Sequence, residues 1–161
     1  MRVRCLPAKQ TRGAWGFSLI ELVIVAAILA IWAGIAVPRV ANTLDRHRAD
    51  AVARRVVRDL KYAQTRARIT SSRQTVAFNC AQGGYELVGL ADTDYAGRTY
   101  KIKLSDEPYR AELVQVSFAG SAQVVFDAYG SPGSGGSVVM RVGSHQRTVV
   151  VDGQTGQVNL Q

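Results

Sequence analysis

A chain of 161 residues has room for one anchored helix and one small domain, which excludes a multidomain enzyme. Twenty Lys and Arg against twelve Asp and Glu give a formal charge of +8, a basic balance that raises membrane surfaces and nucleic acid as partners. Two cysteines, Cys5 and Cys80, and two histidines, His47 and His145, offer no metal-ligand spacing. Residues 1–16 are short, polar and basic: Arg2, Arg4, Lys9 and Arg12 stand with no acidic residue, and Val3, Leu6 and Trp15 are scattered. Without this segment the formal charge falls to 20 − 4 − 12 = +4. Basic residues beside an apolar span stay in the cytoplasm, so part of the charge is a topology signal. Everything after Val40 is then expected on the far side, the periplasm in a bacterium with two membranes.

The stretch from Phe17 to Val40, FSLIELVIVAAILAIWAGIAVPRV, holds about twenty apolar residues, enough for a helix to cross a hydrocarbon core. Inner-membrane lipid is its expected surrounding. Glu21 is the one charge before Arg39; a carboxylate inside a span costs at least a few kcal/mol and calls for a partner. Gly34 and Pro38 fall near the end of the run. Pro38 removes a backbone donor and crowds the preceding turn, so a kink is expected there.

The helical signal continues past the span. Val40, Leu44, Ala51, Val52, Val56, Leu60, Ala63 and Ala67 recur at helical spacing with charges between them, the pattern of an amphipathic helix whose stripe lies against a domain. One helix from Phe17 to about Ile69 would be roughly 80 Å long. Its second half is rich in arginine: Arg46, Arg48, Arg54, Arg55, Arg58, Arg66 and Arg68, with Lys61. A solvated face, partly balanced by Asp45, Asp50 and Asp59, is the favoured reading, with nucleic acid or anionic lipid as the alternative.

From Ser71 onward the period changes to two. Eight short runs read as strands: 75–80, 85–90, 100–104, 113–118, 123–126, 137–142, 148–151 and 157–160. Gln82-Gly83-Gly84 and Asp152-Gly153 suit turns, and Gly130 to Gly136 (GSPGSGG) reads as a loop. The expected fold is α+β: a long helix packed on one of two small antiparallel sheets. The organisation is a leader at 1–16, a membrane helix at 17–40, an amphipathic helix at 41–70 and a β-rich domain at 71–161. Cys80 is expected as a buried small residue on a strand, and both histidines on the surface.

No constellation carries chemistry. Asp92-x-Asp94 followed by Gly97 lacks the further oxygen ligands and closing glutamate of a calcium loop. Asp106 and Glu107 lie in a turn-like segment, and GSPGSGG lacks the lysine of a phosphate loop. No enzyme, cofactor, catalytic residue or metal is expected.

The GFSLIELV pattern resembles the N-terminus of type IV pilins and pseudopilins. The resemblance implies cleavage by a prepilin peptidase between Gly16 and Phe17, N-methylation of Phe17, and retention of the apolar helix. Glu21 would pair with the amine of a neighbouring subunit. Trp15 departs from the family's common basic residue at that place. Three further stretches, DLKYAQTRARITSSRQTVAF, VVFDAYGSPGSGGSVVMRVG and RTVVVDGQTGQVNL, are similar to the GspH/FimT group: the H-type minor pseudopilin of type II secretion systems and related minor type IV pilins. That resemblance implies a structural subunit at or near the tip of a periplasmic pseudopilus that drives protein export, with sister pseudopilins as partners. The alternative is a FimT-like minor pilin for pilus assembly or DNA uptake. There the neutral run Gly156-Gln157-Val158-Asn159 speaks against DNA, and Arg141 and Arg147 on neighbouring strands speak for it.

Overall fold

The computed structural model describes residues 16–92 and 97–161, without the side chains of 35–39. Expectations for the leader before Gly16 and for Asp94 lie outside the described residues. One helix, α1, runs from Leu19 to Thr70. It starts where the Ser18 carbonyl accepts from the amides of Glu21 and Leu22 at 3.0 and 3.2 Å. It ends at Ser71, whose φ of 47° is left-handed. The Ser72 amide closes back on the Ala67 carbonyl at 3.2 Å, so the helix end is satisfied locally before the chain turns extended. Gly34 and Pro38 both lie within α1, so neither ends it. Two compact units meet between Pro38 and Arg39.

In the second unit, eight strands follow: β1 Gln74–Asn79, β2 Gly84–Ala91, β3 Thr99–Lys103, β4 Glu112–Phe118, β5 Gln123–Phe126, β6 Gly136–Val142, β7 His145–Val151 and β8 Val158–Leu160. They form two antiparallel sheets, ordered β3-β2-β1-β5 and β4-β6-β7-β8. The chain thus crosses to the second sheet for β4 and returns to the first for β5. The crossing is pinned by the bridge between Phe118 and Ser121 and by the Phe78 amide donating to the Ala122 carbonyl at 2.9 Å. Phe78 on β1 and Phe118 on β4 stack with centroids 5.9 Å apart, which ties the two sheets through their cores.

The inner faces alternate as half-buried strands must. Val76, Phe78, Leu87 and Val124 from the first sheet, and Leu113, Val138, Met140, Val149 and Val151 from the second, share one cluster with Val52, Val56, Leu60, Ala63 and Ala67 of α1. The helix reaches both sheets, where the periodicity suggested only one. Tyr100 on β3 receives the Arg55 guanidinium at 3.0 Å, while Arg147 on β7 donates to Asp50 at 2.6 Å. A stripe of alanines and valines lets the helix lie close to two sheet faces at once.

Three local expectations need correction. Cys80 is exposed and free, because it sits in the turn after β1 and not on a strand. His145 opens β7 opposite Val142 and shares its inward face, so it is half-buried, with Nε2 buried and without a hydrogen-bond partner among the described residues; His47 is exposed. The 130–136 stretch is more ordered than a plain loop: Pro132 bridges Phe126, and Gly136 opens β6. Any side chain at Gly136 would strike the Ser117 carbonyl and the Phe118 ring, which is why glycine stands there.

Candidate functional site

The N-terminal segment is built from one turn of backbone and a long apolar surface. Gly16, Phe17 and Ser18 precede the helix, and Phe17 is 82% exposed. A Cβ added at Gly16 meets nothing within 4 Å, so no contact of the described chain demands glycine there. Glu21 lies in the first turn of α1, exposed and with no ion pair among the described residues. A carboxylate there faces the positive end of the helix dipole. Leu19, Ile20, Leu22, Leu29, Ile31 and Trp32 are exposed on every side of the helix. Among the described residues no helix is long and apolar enough to cross a membrane.

The second half of α1 is held by a polar network that the arginine-rich reading missed. Asp59 is buried. Its Oδ2 accepts from Tyr85 Oη at 2.6 Å and from Arg55 Nε at 3.0 Å. Arg55 spans from Asp59 to the Tyr100 hydroxyl, and Tyr62 leans on the Tyr100 ring at 6.3 Å. Burial, then the charge of Asp59, holds the Tyr85 phenol above its ordinary range. Burial works against the Arg55 charge, but the hydrogen bond and charge of Asp59 outweigh it and keep the guanidinium firmly protonated. A signal for this was available: Asp59 falls in step with Val52, Val56 and Ala63, on the inward stripe and not on the solvated face.

Further along, Gln64 donates to the carbonyls of Gly130 and Gly156 at 2.8 and 3.1 Å, and Arg68 Nε to the Tyr129 carbonyl at 2.9 Å. Those three bonds fasten the helix to the loop after β5 and the turn before β8. The loop is shaped by Asp127, which accepts from the amides of Tyr129 and Ser131, and the turn by Asp152, which accepts from Gln154 and Thr155. The amides of Thr155 and Gln154 hold the Asp152 carboxyl below its ordinary range. Gly156, with φ 68°, lets the backbone turn beneath Gln64.

Arg141 and Arg147 do not make a joint basic patch. In the β6–β7 register Arg141 faces Gln146 and Arg147 faces Met140, so the two project from opposite faces of the sheet. Arg141 is engaged by Glu112 at 2.7 Å and Arg147 by Asp50 at 2.6 Å. The Arg147 hydrogen bond holds the Asp50 carboxyl below its ordinary range. Among the described residues no group of three or more His, Cys, Asp or Glu could hold a metal.

The prokaryotic N-terminal methylation motif matches residues 16–37, and the family described as Type II transport protein GspH matches residues 52–155. No curated protein matches the chain. Among solved structures, the minor pseudopilin EpsH of the Vibrio cholerae type II secretion system is 11% identical with a TM-score of 0.55, covering 72% of this chain and 97% of that one. The type IV minor pilin FimU of Pseudomonas aeruginosa is 13% identical with a TM-score of 0.53, covering 72% and 90%. At these identities both likenesses speak for the pilin-like fold. The GspH match extends over most of the chain, and the methylation motif precedes it on the same helix: the chain belongs to the GspH family and is a pilin-like protein of the minor pseudopilins and minor pilins that serve type II secretion or type IV pilus systems.

Proposed function

We propose that this chain is a minor pseudopilin of a type II secretion system, a structural, non-enzymatic subunit at or near the tip of the periplasmic pseudopilus. A prepilin peptidase cuts between Gly16 and Phe17, and the new amine of Phe17 is methylated. Residues 17–40 anchor the chain once across the inner membrane, with the leader cytoplasmic and the β domain periplasmic. Leu19 to Trp32 offer apolar side chains on all sides of the helix, which suits lipid before assembly and sister helices after it. Glu21 has no ion pair of its own among the described residues, and in the fibre the amine of a neighbouring subunit neutralises it. Pro38 lacks the N–H that would bond the Gly34 carbonyl four residues back, so the helix is loosened there between anchor and domain.

The observation that carries this reading is the continuity of α1 from Leu19 to Thr70: the methylation motif and the GspH-type core share one helix. Mass spectrometry of membranes should find the chain beginning at methylated Phe17, and Gly16→Ala should retain residues 1–16. An unsubstituted protein that keeps its leader would remove the reading. Crosslinking to sister pseudopilins, with secretion scored in parallel, should fall with Glu21→Leu. Full crosslinking and secretion in that variant would discard the charge pair and favour a tip position with no neighbour above it. The likeness to FimU supports a type IV pilus as the second setting, and a neighbouring secretin and secretion ATPase in the genome would decide between them. DNA capture is the weaker alternative, since Arg141 and Arg147 are already engaged by carboxylates.

A further inference from the structure

The second sheet ends at β8, and among the described residues no strand flanks its outer side. Thr148 and Gln161 exchange both backbone hydrogen bonds, at 3.2 and 2.8 Å, and the Asp152 amide donates to the Gln157 carbonyl at 2.9 Å. Antiparallel pairs alternate between bonded and non-bonded positions. The Gln157 carbonyl and the N–H and C=O of Asn159 and Gln161 therefore point to β7, the Gln157 amide donates to the Thr155 hydroxyl at 3.3 Å, and the N–H and C=O of Val158 and Leu160 point outward. Among the described residues these outward groups have no hydrogen-bond partner.

The same end of the sheet borders an open groove of about 390 Å3 against α1, lined by Lys61, Gln64 and Arg68 on the helix and by Gly156, Val158 and Asn159 on the strand side. Lys61 and Arg68 are exposed and have no ion pair among the described residues, and no carboxylate lines the groove. Leu160 shares the inward face of Val158, yet it is 40% exposed where Val158 is 3%. An apolar side chain of the sheet's inner face is thus partly bare at the edge.

We propose that the β8 edge takes up an extended acidic segment of a partner polypeptide as a fifth strand of the second sheet. The edge presents N–H and C=O groups in alternation, which a peptide backbone complements and a row of phosphates does not. The carboxylates would stand on the inward face of the added strand, where they meet Lys61 and Arg68 while their methylene stems cover Leu160. The binding is a property of one chain, so it stands or falls independently of how the N-terminal segment is processed.

The test uses the full-length protein in detergent micelles and a capped peptide alternating glutamate and valine, with amide hydrogen exchange read at single residues. Bound peptide should slow exchange at Val158 and Leu160. Leu160→Pro deletes an N–H that faces away from β7, a position where an edge strand tolerates proline, and should weaken binding by about tenfold. Unchanged exchange at Val149 and Val151 would verify that the sheet survives. A peptide N-methylated on its pairing side leaves the protein untouched and should fail to bind, and the lysine–valine peptide should bind less tightly than the glutamate–valine one. The proposal is overturned if the N-methylated or the lysine peptide binds as well as the first. Protection of Val158 and Leu160 by a single-stranded oligonucleotide in preference to the peptide would equally overturn it and mark a nucleic-acid site.

Discussion

The two halves of α1 obey the same backbone rules and differ in what surrounds their side chains. From Leu19 to Trp32 large apolar residues are exposed on every side, whereas from Ala49 to Ala67 one stripe of apolar residues is buried and Ala51 and Tyr62 stay exposed beside it. The second half needs two sheets to complete it and finds them in its own chain. The first half finds no such cover among the described residues. A substitution in one half should therefore be read in folding, and in the other in assembly.

The sharpest contrast sets Asp59 against Glu21, one carboxylate from each half. Asp59→Ala leaves Arg55 without its carboxylate and the Tyr85 hydroxyl without its acceptor in the core, and should cost the β domain about 3–5 kcal/mol. Glu21→Leu should leave the same unfolding transition, followed by near-ultraviolet circular dichroism in denaturant, where it was. Equal losses from both would erase the distinction between the halves.

Leucines give the next largest effect. Leu60→Ala, at a residue 1% exposed, opens a cavity and should cost about 2–5 kcal/mol. Leu29→Ala, at a residue 63% exposed, should leave domain stability unchanged while lowering recovery in the membrane fraction.

Gln64→Ala asks how firmly the helix is fastened to the second sheet's far end. It strips one donor from the buried carbonyls of Gly130 and Gly156 and should cost about 1–2 kcal/mol. Amide exchange should quicken around Gly130 and Gly156 before it does in β1 and β2.

The smallest effect is the acid limb. The folded Asp50 carboxyl titrates below its unfolded value of about 3.9, because Arg147 donates to its charged form. The folded state thus binds fewer protons there than the unfolded one. The pair's contribution is present above that unfolded value and is lost as pH falls through the folded one. Asp50→Asn should lower stability slightly at neutral pH and converge with the unsubstituted protein as pH falls below about 4, giving a flatter acid limb in melting across pH. An unaltered acid limb would mean that the Arg147 contact does not hold the helix to β7.

All eight strands were legible as alternation, each within a few residues of its place, because a half-buried sheet face writes a period of two into the chain. The turn at Asp152-Gly153 was legible for the same local reason. The polar core was not. Asp59 was counted among charges balancing a wet face, although its step from Val52 and Val56 placed it inward; a single charged residue on a stripe gives no sign that two tyrosines from distant strands will meet it. Cys80 was misplaced by one residue of strand boundary, enough to turn it from buried to exposed. Strand order lay beyond reach, since the exchange of β4 and β5 between sheets depends on Phe118, Ser121 and Ala122 meeting partners far along the chain.

What the sequence determined by itself is whatever is local: the apolar run after Phe17, the stripe from Val52 to Ala67, the alternation and turns of the sheets, and the Gly16–Glu21 motif, which needs no fold to be read. What only the tertiary structure decided is which distant groups become neighbours: that one helix covers both sheets, that Arg55 and Asp59 turn inward to Tyr85 and Tyr100, that Arg141 and Arg147 part to opposite faces, and that β8 is left with an open edge. Side-chain periodicity is set by bonds along the chain, whereas contacts between residues many tens of positions apart are set by the packing of the whole core.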